Sequence, residues 1–167
     1  GKSVHVDNGI KINTLASNGL TGSWTLDPDN LTVQSGSGDT LLGSSNTDGQ
    51  SSIDAGTIVT ALNTTDVTLQ ARNSISIESA IDASLNSAAH NLTLADQNGG
   101  GLTINLDDPI TLKAGGHLSG QGTVVNVGSH GLIQNGIDVV TTGATVNLAP
   151  PTYALSSGIS IGTNGIT

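Results

Sequence analysis

The chain of 167 residues contains no cysteine, no methionine and no phenylalanine, and its only aromatic side chains are Trp24 and Tyr153. Without cysteine there is no disulfide frame and no thiol chemistry. Positive charge is scarce: Lys and Arg total 4 against 13 Asp and Glu, a formal net charge of −9. Neutralising phosphates requires a basic footprint, so this balance excludes nucleic acid as a partner. It argues equally against docking on anionic lipid. Long apolar runs are missing as well. The longest are a few residues, far short of the roughly 20 that cross a bilayer, so no membrane insertion is expected. The first residues form no basic and apolar signal region, so export would rest on a leader outside this sequence.

What the chain has in quantity is small and neutral: 19 Ser, 21 Thr, 15 Asn and 23 Gly. An acidic chain this poor in aromatics suggests disorder. Yet 35% of residues are hydrophobic, and these are mostly Ile, Val, Leu and Ala in short patterned runs. Polarity carried by hydroxyls and amides rather than charge points to β structure. Strand candidates of three to six residues read Val4–Val6, Ile10–Ile12, Ser23–Leu26, Leu31–Val33, Val67–Gln70, Ile75–Ile77, Leu92–Leu94, Leu102–Leu106, Ile110–Leu112, Thr123–Val127, Thr145–Leu148 and Ile159–Ile161. Most alternate apolar and polar, which sets one face inward and a Thr or Asn face outward. Between them lie turn formers such as Ser35-Gly36-Ser37-Gly38-Asp39, Gln97-Asn98-Gly99-Gly100-Gly101 and Ala114-Gly115-Gly116. Gly accepts positive φ there, and Asx side chains bond the local backbone.

Two stretches read as helical. Ile58–Leu62 follows Ser52-Ile53-Asp54 and predicts a single turn. Within Leu132–Val140, residues Ile133, Ile137 and Val140 share one face, and Gly143 is expected to stop the helix.

The runs also repeat. Val67-Thr68-Leu69, Ile75-Ser76-Ile77 and Ile81 are followed by Leu92-Thr93-Leu94, Leu102-Thr103-Ile104 and Ile110, at offsets of 25, 27 and 29 residues. A period in this range marks solenoids. Strands this short bury little alone, but stacked at about 4.8 Å they build a continuous aliphatic core. The expected fold is therefore all-β, a parallel β-helix spanning residues 1–167 as one domain. Its interior, free of Phe and Met, is narrow. An antiparallel sandwich is the rival, but tight two-residue hairpin signals are few.

Gly22-Ser23-Trp24-Thr25-Leu26-Asp27-Pro28-Asp29-Asn30-Leu31-Thr32-Val33 resembles a stretch of large bacterial exoproteins of the filamentous haemagglutinin type. So do Ser52-Ile53 through Ala71 and Ser74–Ile81, and the likeness covers roughly residues 20–127. The resemblance implies a right-handed β-helix, secretion through an outer-membrane partner, and an extracellular or cell-surface role as an adhesin or fibre shaft. That family's amino-terminal secretion domain carries Asn-Pro motifs, and this chain has none. The chain thus looks like a stretch from beyond that domain, or a fibre subunit reusing shaft sequence. A second likeness, at Ile133–Asp138, Gly143–Leu148 and Tyr153, is to the opening turn of secreted β-helix proteins including polysaccharide lyases. Pro150-Pro151-Thr152 stands where those proteins have Gly before the Tyr.

Chemistry-bearing groups are few. Asp27-Pro28-Asp29-Asn30 offers oxygens to calcium but reads more simply as a Pro turn with Asx bonds. Asp107-Asp108-Pro109 is a candidate carboxylate pair, yet adjacent strand residues point apart, so a solvated corner is expected. His5, His90, His117 and His130 are dispersed; only His90 and His117 lie about one repeat apart, and two ligands alone make a weak metal site. There is no Gly-x-Ser-x-Gly run, and Gly99-Gly100-Gly101 lacks the phosphate-loop Lys. Trp24 reads as an anchor over an open coil end or as a sugar platform, and Tyr153 as part of a stiff corner. Asn30, Asn63 and Asn91 head glycosylation sequons, which arise readily in Thr-rich strands.

No catalytic, cofactor-binding or metal-ligating residue is therefore assigned, and no cofactor. The expectation is a non-enzymatic structural and adhesive module of a bacterial fibre. Its partners are further copies, joined by stacking of unpaired end strands, and a glycan or protein receptor on a host or neighbouring cell. A carbohydrate-binding or lyase-like β-helix is the alternative, although Lys2, Lys11, Arg72 and Lys113 hardly furnish a basic cluster. A calcium-dependent binding module is the third reading.

Overall fold

The structure, a computed structural model, describes residues 14, 22–36, 50–149 and 158–159. The expected strands Val4–Val6 and Ile10–Ile12 lie outside the described residues, as do Lys2, His5, Lys11, Ser37–Asp39 and Tyr153 with its prolines. Of the expected strand at Ile159–Ile161 only Ile159 is described, and it is not in a strand.

Alternation of apolar and hydroxyl or amide residues becomes twelve strands among the described residues. They are β1 (Ser23–Leu26), β2 (Asn30–Gln34), β3 (Gln50–Asp54), β4 (Asp66–Ala71), β5 (Ser74–Ile77), β6 (Ile81–Asp82), β7 (Leu92–Asp96), β8 (Leu102–Leu106), β9 (Ile110–Thr111), β10 (Leu118–Gly120), β11 (Gly122–Val127) and β12 (Val140–Leu148). Two helices of seven residues interrupt them, α1 (Ala55–Ala61) and α2 (Ile133–Val139). At the start of α1, Asp54 sits in an extended conformation and its carboxylate accepts the Thr57 N–H. That satisfies one of the orphan donors of the first turn.

The strands form three sheets, ordered β1-β4-β7-β10, β12-β11-β8-β5-β2-β3 and β6-β9. Every pairing among them is parallel. From β4 onward the chain visits the sheets in rotation, β4-β5-β6 and then β7-β8-β9, and β10 and β11 join the first two sheets again. Parallel neighbours need a long connection, and here it is supplied by passage through the other sheets. Helix α1 packs beside β6, and on the far side of this short sheet Asn135 of α2 accepts the Ile110 N–H of β9 through Oδ1 at 2.9 Å. The helices thus stand where further strands of the third sheet would lie.

Register places like on like. Ile75, Ile104, Val125 and Val146 align across β5, β8, β11 and β12, and so do Ile77, Leu106, Val127 and Leu148. All three sheets turn their apolar faces into one buried cluster of Leu, Ile, Val and Ala. Parallel sheets are stable when both faces are covered. Here one face is covered by the other sheets, and the outer face carries Thr, Ser and Asn.

Two expectations need correction. The second offset is 29 rather than 27, because Ile75 pairs with Ile104 and not with Leu102. A slip of two residues keeps each side chain on its face, so alternation alone leaves it undetermined. Nor does Gly143 stop α2. The helix ends at Val139, Val140 already pairs with Gly122, and Gly143 adopts φ +81 within the irregular start of β12. The extra residues of β12 opposite Gly122–Val124 form a bulge, which is where a positive φ is needed.

Candidate functional site

The outer face of the six-stranded sheet carries a chain of side-chain hydrogen bonds. Asn105 Nδ2 donates to Ser76 Oγ at 3.0 Å, Asn126 Nδ2 to Asn105 Oδ1 at 2.8 Å, and Asn147 Nδ2 to Asn126 Oδ1 at 2.9 Å. The ladder is directional: each carboxamide donates toward β5, and those of Asn105 and Asn126 accept from the β12 side. On the first sheet Thr93 and Ser119 hydroxyls meet at 3.2 Å.

The corners use the same device with backbone donors. Asp66 Oδ1 accepts the Asn91 N–H at 2.8 Å, and Asn91 Oδ1 accepts the His117 N–H at 3.0 Å. Asn63 Oδ1 accepts the Ser87 N–H at 2.8 Å, and Gln121 Oε1 accepts that of Asp96 at 2.9 Å. Where the strand ladder stops, a polar side chain of an adjacent layer takes the N–H it leaves. Asp96 gathers three such donors, from Asn98, Gly99 and Gly101. Those bonds, led by Asn98 and Gly101, hold its carboxyl below the usual carboxylate range against the opposing effect of burial. The tight loop depends on positive φ at Gly99 and Gly101. Asp82 is likewise lowered, by the hydroxyl and N–H of Ser84.

The candidate chemical groups are dispersed. Asp29 pairs with Arg72, Nη1 to Oδ1 at 3.2 Å, and Asp27 accepts from Gln97 Nε2 at 3.0 Å. The backbone oxygens of Pro28 and Asp29 accept the Arg72 and Asn73 N–H groups of the adjacent layer, so this segment is a corner tied to its neighbour. Asp107 and Asp108 form the corner between β8 and β9, both N–H groups bonding Ile77 O. His117 aligns with Asn91, so His90 and His117 do not face each other as the repeat spacing suggested. His90 Nδ1 lies 3.4 Å from Asp66 Oδ1, and its Nε2 is buried without a hydrogen bond. Among the described residues no three His, Cys, Asp or Glu side chains gather as a metal site. The three sequon asparagines all bond within the fold, Asn30 Oδ1 accepting from Ser74 Oγ at 2.9 Å. Trp24 lies on the inward side of β1, the end strand of its sheet among the described residues, aligned with Val67 and packed on the buried cluster, which is the anchoring position.

Among the described residues the six-stranded sheet ends on β12 and β3, and no helix is long and apolar enough to cross a membrane. At the β12 end Leu148 is 47% exposed, whereas Val127 and Leu106 of the same column are at most 1% exposed. The distinctive surface among the described residues is thus the amide ladder running from β5 to β12. No family model, curated protein or solved structure matches this chain. The ladder was only partly foreseen, as a tendency of Thr, Ser and Asn to stack outward. Its particular signal is the triplet apolar-Asn-apolar, in Ile104-Asn105-Leu106, Val125-Asn126-Val127 and Val146-Asn147-Leu148, recurring every 21 residues.

Proposed function

We propose that the chain is a right-handed parallel β-helix serving as a non-enzymatic structural and adhesive module of a bacterial extracellular fibre. One observation carries this reading. The six-stranded sheet keeps one apolar column pattern inside and one hydroxyl and amide column outside across its strands. Such a sheet gains length by adding layers, each covering the apolar face of the last. Right-handedness follows from the twist of strands joined by parallel crossovers. The outer surface is a hydrated, low-charge lattice of Ser, Thr and Asn, suited to reach and rigidity and to presenting corner loops to a glycan or protein receptor. The filamentous-haemagglutinin resemblance at Trp24–Pro28 and along Ser52–Ile81 supports the same role and an extracellular location.

Display of the chain on a non-adherent bacterium, with adhesion to epithelial cells and to a glycan array as readout, tests the function. Gain of adhesion together with rod-shaped particles in electron micrographs is expected. Dispersed compact particles that confer no adhesion would overturn the proposal.

A further inference from the structure

We propose that the outer face of β5, β8, β11 and β12 is an ice-binding surface. The inference goes beyond the adhesive reading above, needs no receptor, and depends on the parallel register alone.

Two ranks of side chains run across these four strands. One reads Ser74, Thr103, Val124, Thr145, and the other Ser76, Asn105, Asn126, Asn147. Both alternate with the buried columns of Ile75, Ile104 and Val125 and of Ile77, Leu106 and Val127, so they point away from the core. Register is unbroken from Val124 and Thr145 onward, because the bulge of β12 lies before Thr145. Successive layers are about 4.8 Å apart, and alternate residues of one strand about 6.6 Å apart. The face therefore repeats in two directions. Hexagonal ice exposes oxygen atoms with a repeat closely similar to the layer spacing, so water bound at one layer is in phase with water bound at the next.

The side chains are ordered before anything binds. A carboxamide has two N–H donors and two acceptor lone pairs. Asn105 and Asn126 each spend one donor and one lone pair within the ladder, which leaves one of each for water in the same orientation at each layer. In the other rank, β-branching restricts χ1 of Thr103, Val124 and Thr145. Val124 replaces a hydroxyl by a methyl without changing the shape of the rank. Such preorganisation cuts the entropy cost of meeting an ordered lattice. Charge and apolar content then decide the occupant. The chain has a net charge of −9, yet none of the four strands contains a charged residue. A charged polymer finds nothing to pair with here. A protein partner is anchored mainly through Trp, Tyr or Arg, and these strands contain none of them. A flat, neutral and periodic array of hydroxyls and amides is matched instead by a flat, neutral and periodic array of water.

The test is the affinity of the full chain for ice. Fluorescently labelled protein is offered to a slowly growing ice hemisphere, and crystal shape and the gap between freezing and melting points are measured in the same solutions. Val124→Lys sets a charged chain in the middle of the array, at a position 38% exposed and outside the amide ladder. Leu85→Lys makes the same charge change in the segment after β6, at a residue 92% exposed. Thermal midpoints of all three proteins check that they are folded. The expected result is that wild type and Leu85→Lys enter the ice and facet its crystals while Val124→Lys is excluded, at similar midpoints. Exclusion of the folded wild type overturns the proposal and leaves the fibre reading to its own adhesion assay. A second copy seated on this face would hide it and give the same exclusion. Equal uptake of Val124→Lys and wild type also overturns it, because the contact then lies on another face. Should Val124→Lys not fold, Thr145→Lys, at an exposed position of the same rank, takes its place with the same two outcomes.

Discussion

Ile104→Ala probes the aligned columns at their centre. Ile104 has no exposed surface and stands between Ile75 and Val125 in register. The substitution removes three carbons, worth about 2.4 kcal/mol at about 0.8 kcal/mol each. The cavity between two paired strands adds to this, for a total of about 3 kcal/mol. With a urea slope of about 2 kcal/mol/M, the unfolding midpoint should fall by about 1.5 M. Ile104→Val, at about 1 kcal/mol, gives the same sign should the alanine variant not fold. Val124→Ala, one position before the column residue Val125 and on an exposed site, should cost under about 0.5 kcal/mol. A double-mutant cycle with Ile75→Ala makes the test one of register. Directly stacked residues should couple by at least about 0.5 kcal/mol. The pair of Ile75 with Ile104 should therefore couple more strongly than Ile75 with Leu102. The reverse order, or an Ile104→Ala cost no larger than that of Val124→Ala, would refute the reasoning.

Other consequences follow from single positions. A Cβ at Gly131 would stand 2.2 Å from the backbone oxygen of Leu106, which cannot swing away, so Gly131→Ala should lower the thermal midpoint by several degrees. A midpoint equal to wild type would contradict the packing of this corner. Asp54→Ala should cost about 1 kcal/mol in denaturant unfolding through loss of the α1 cap, and a neutral result would place the cap elsewhere. Asp96 has a lowered carboxyl pKa in the fold, so its contribution to stability is full above the unfolded value of about 3.9 and is lost as pH falls through the lower folded value. The amide resonances of Asn98, Gly99 and Gly101 should accordingly titrate together with a midpoint below about 3.9. A midpoint at or above that value would sink the three-donor account of the loop.

Where the sequence alternates Ile, Val or Leu with Thr, Ser or Asn, the strand was legible. Ser23–Leu26 and Leu102–Leu106 have the bounds the pattern predicts. Both helices were also foreseen, α1 near its cap residue Asp54 and α2 from the spacing of Ile133 and Ile137. The strands the pattern passed over are those whose partners, not their own residues, make them strands. Gln50–Asp54 has one large apolar residue, Ile53, and Leu118–Gly120 has only Leu118. Each is extended because β2 or β7 beside it offers a row of donors and acceptors. The register of β8 on β5 was illegible for a related reason. Leu102 and Ile104 are both buried, and the choice between them is made by the Asp96 loop and the bond from Thr103 N–H to Asn73 O. The histidine spacing misled because one residue of phase decides which side chain meets Asn91, and corner geometry sets that phase. At the surface, the thinness of titratable chemistry was plain from composition. The amide ladder needed the register before Asn105, Asn126 and Asn147 could be seen as one feature.

Nuclear Overhauser contacts between backbone protons measure strand direction without reference to any side chain. The account predicts amide-to-α contacts that advance together along both partners: Thr68 with Thr93 and Leu69 with Leu94 at a separation of 25, and Ile75 with Ile104 and Ser76 with Asn105 at 29. Strong α-to-α contacts between sequential strands, such as Leu94 with Leu102 running in opposite directions, would mean antiparallel hairpins. That result would contradict the stacked parallel layers on which the fibre reading depends.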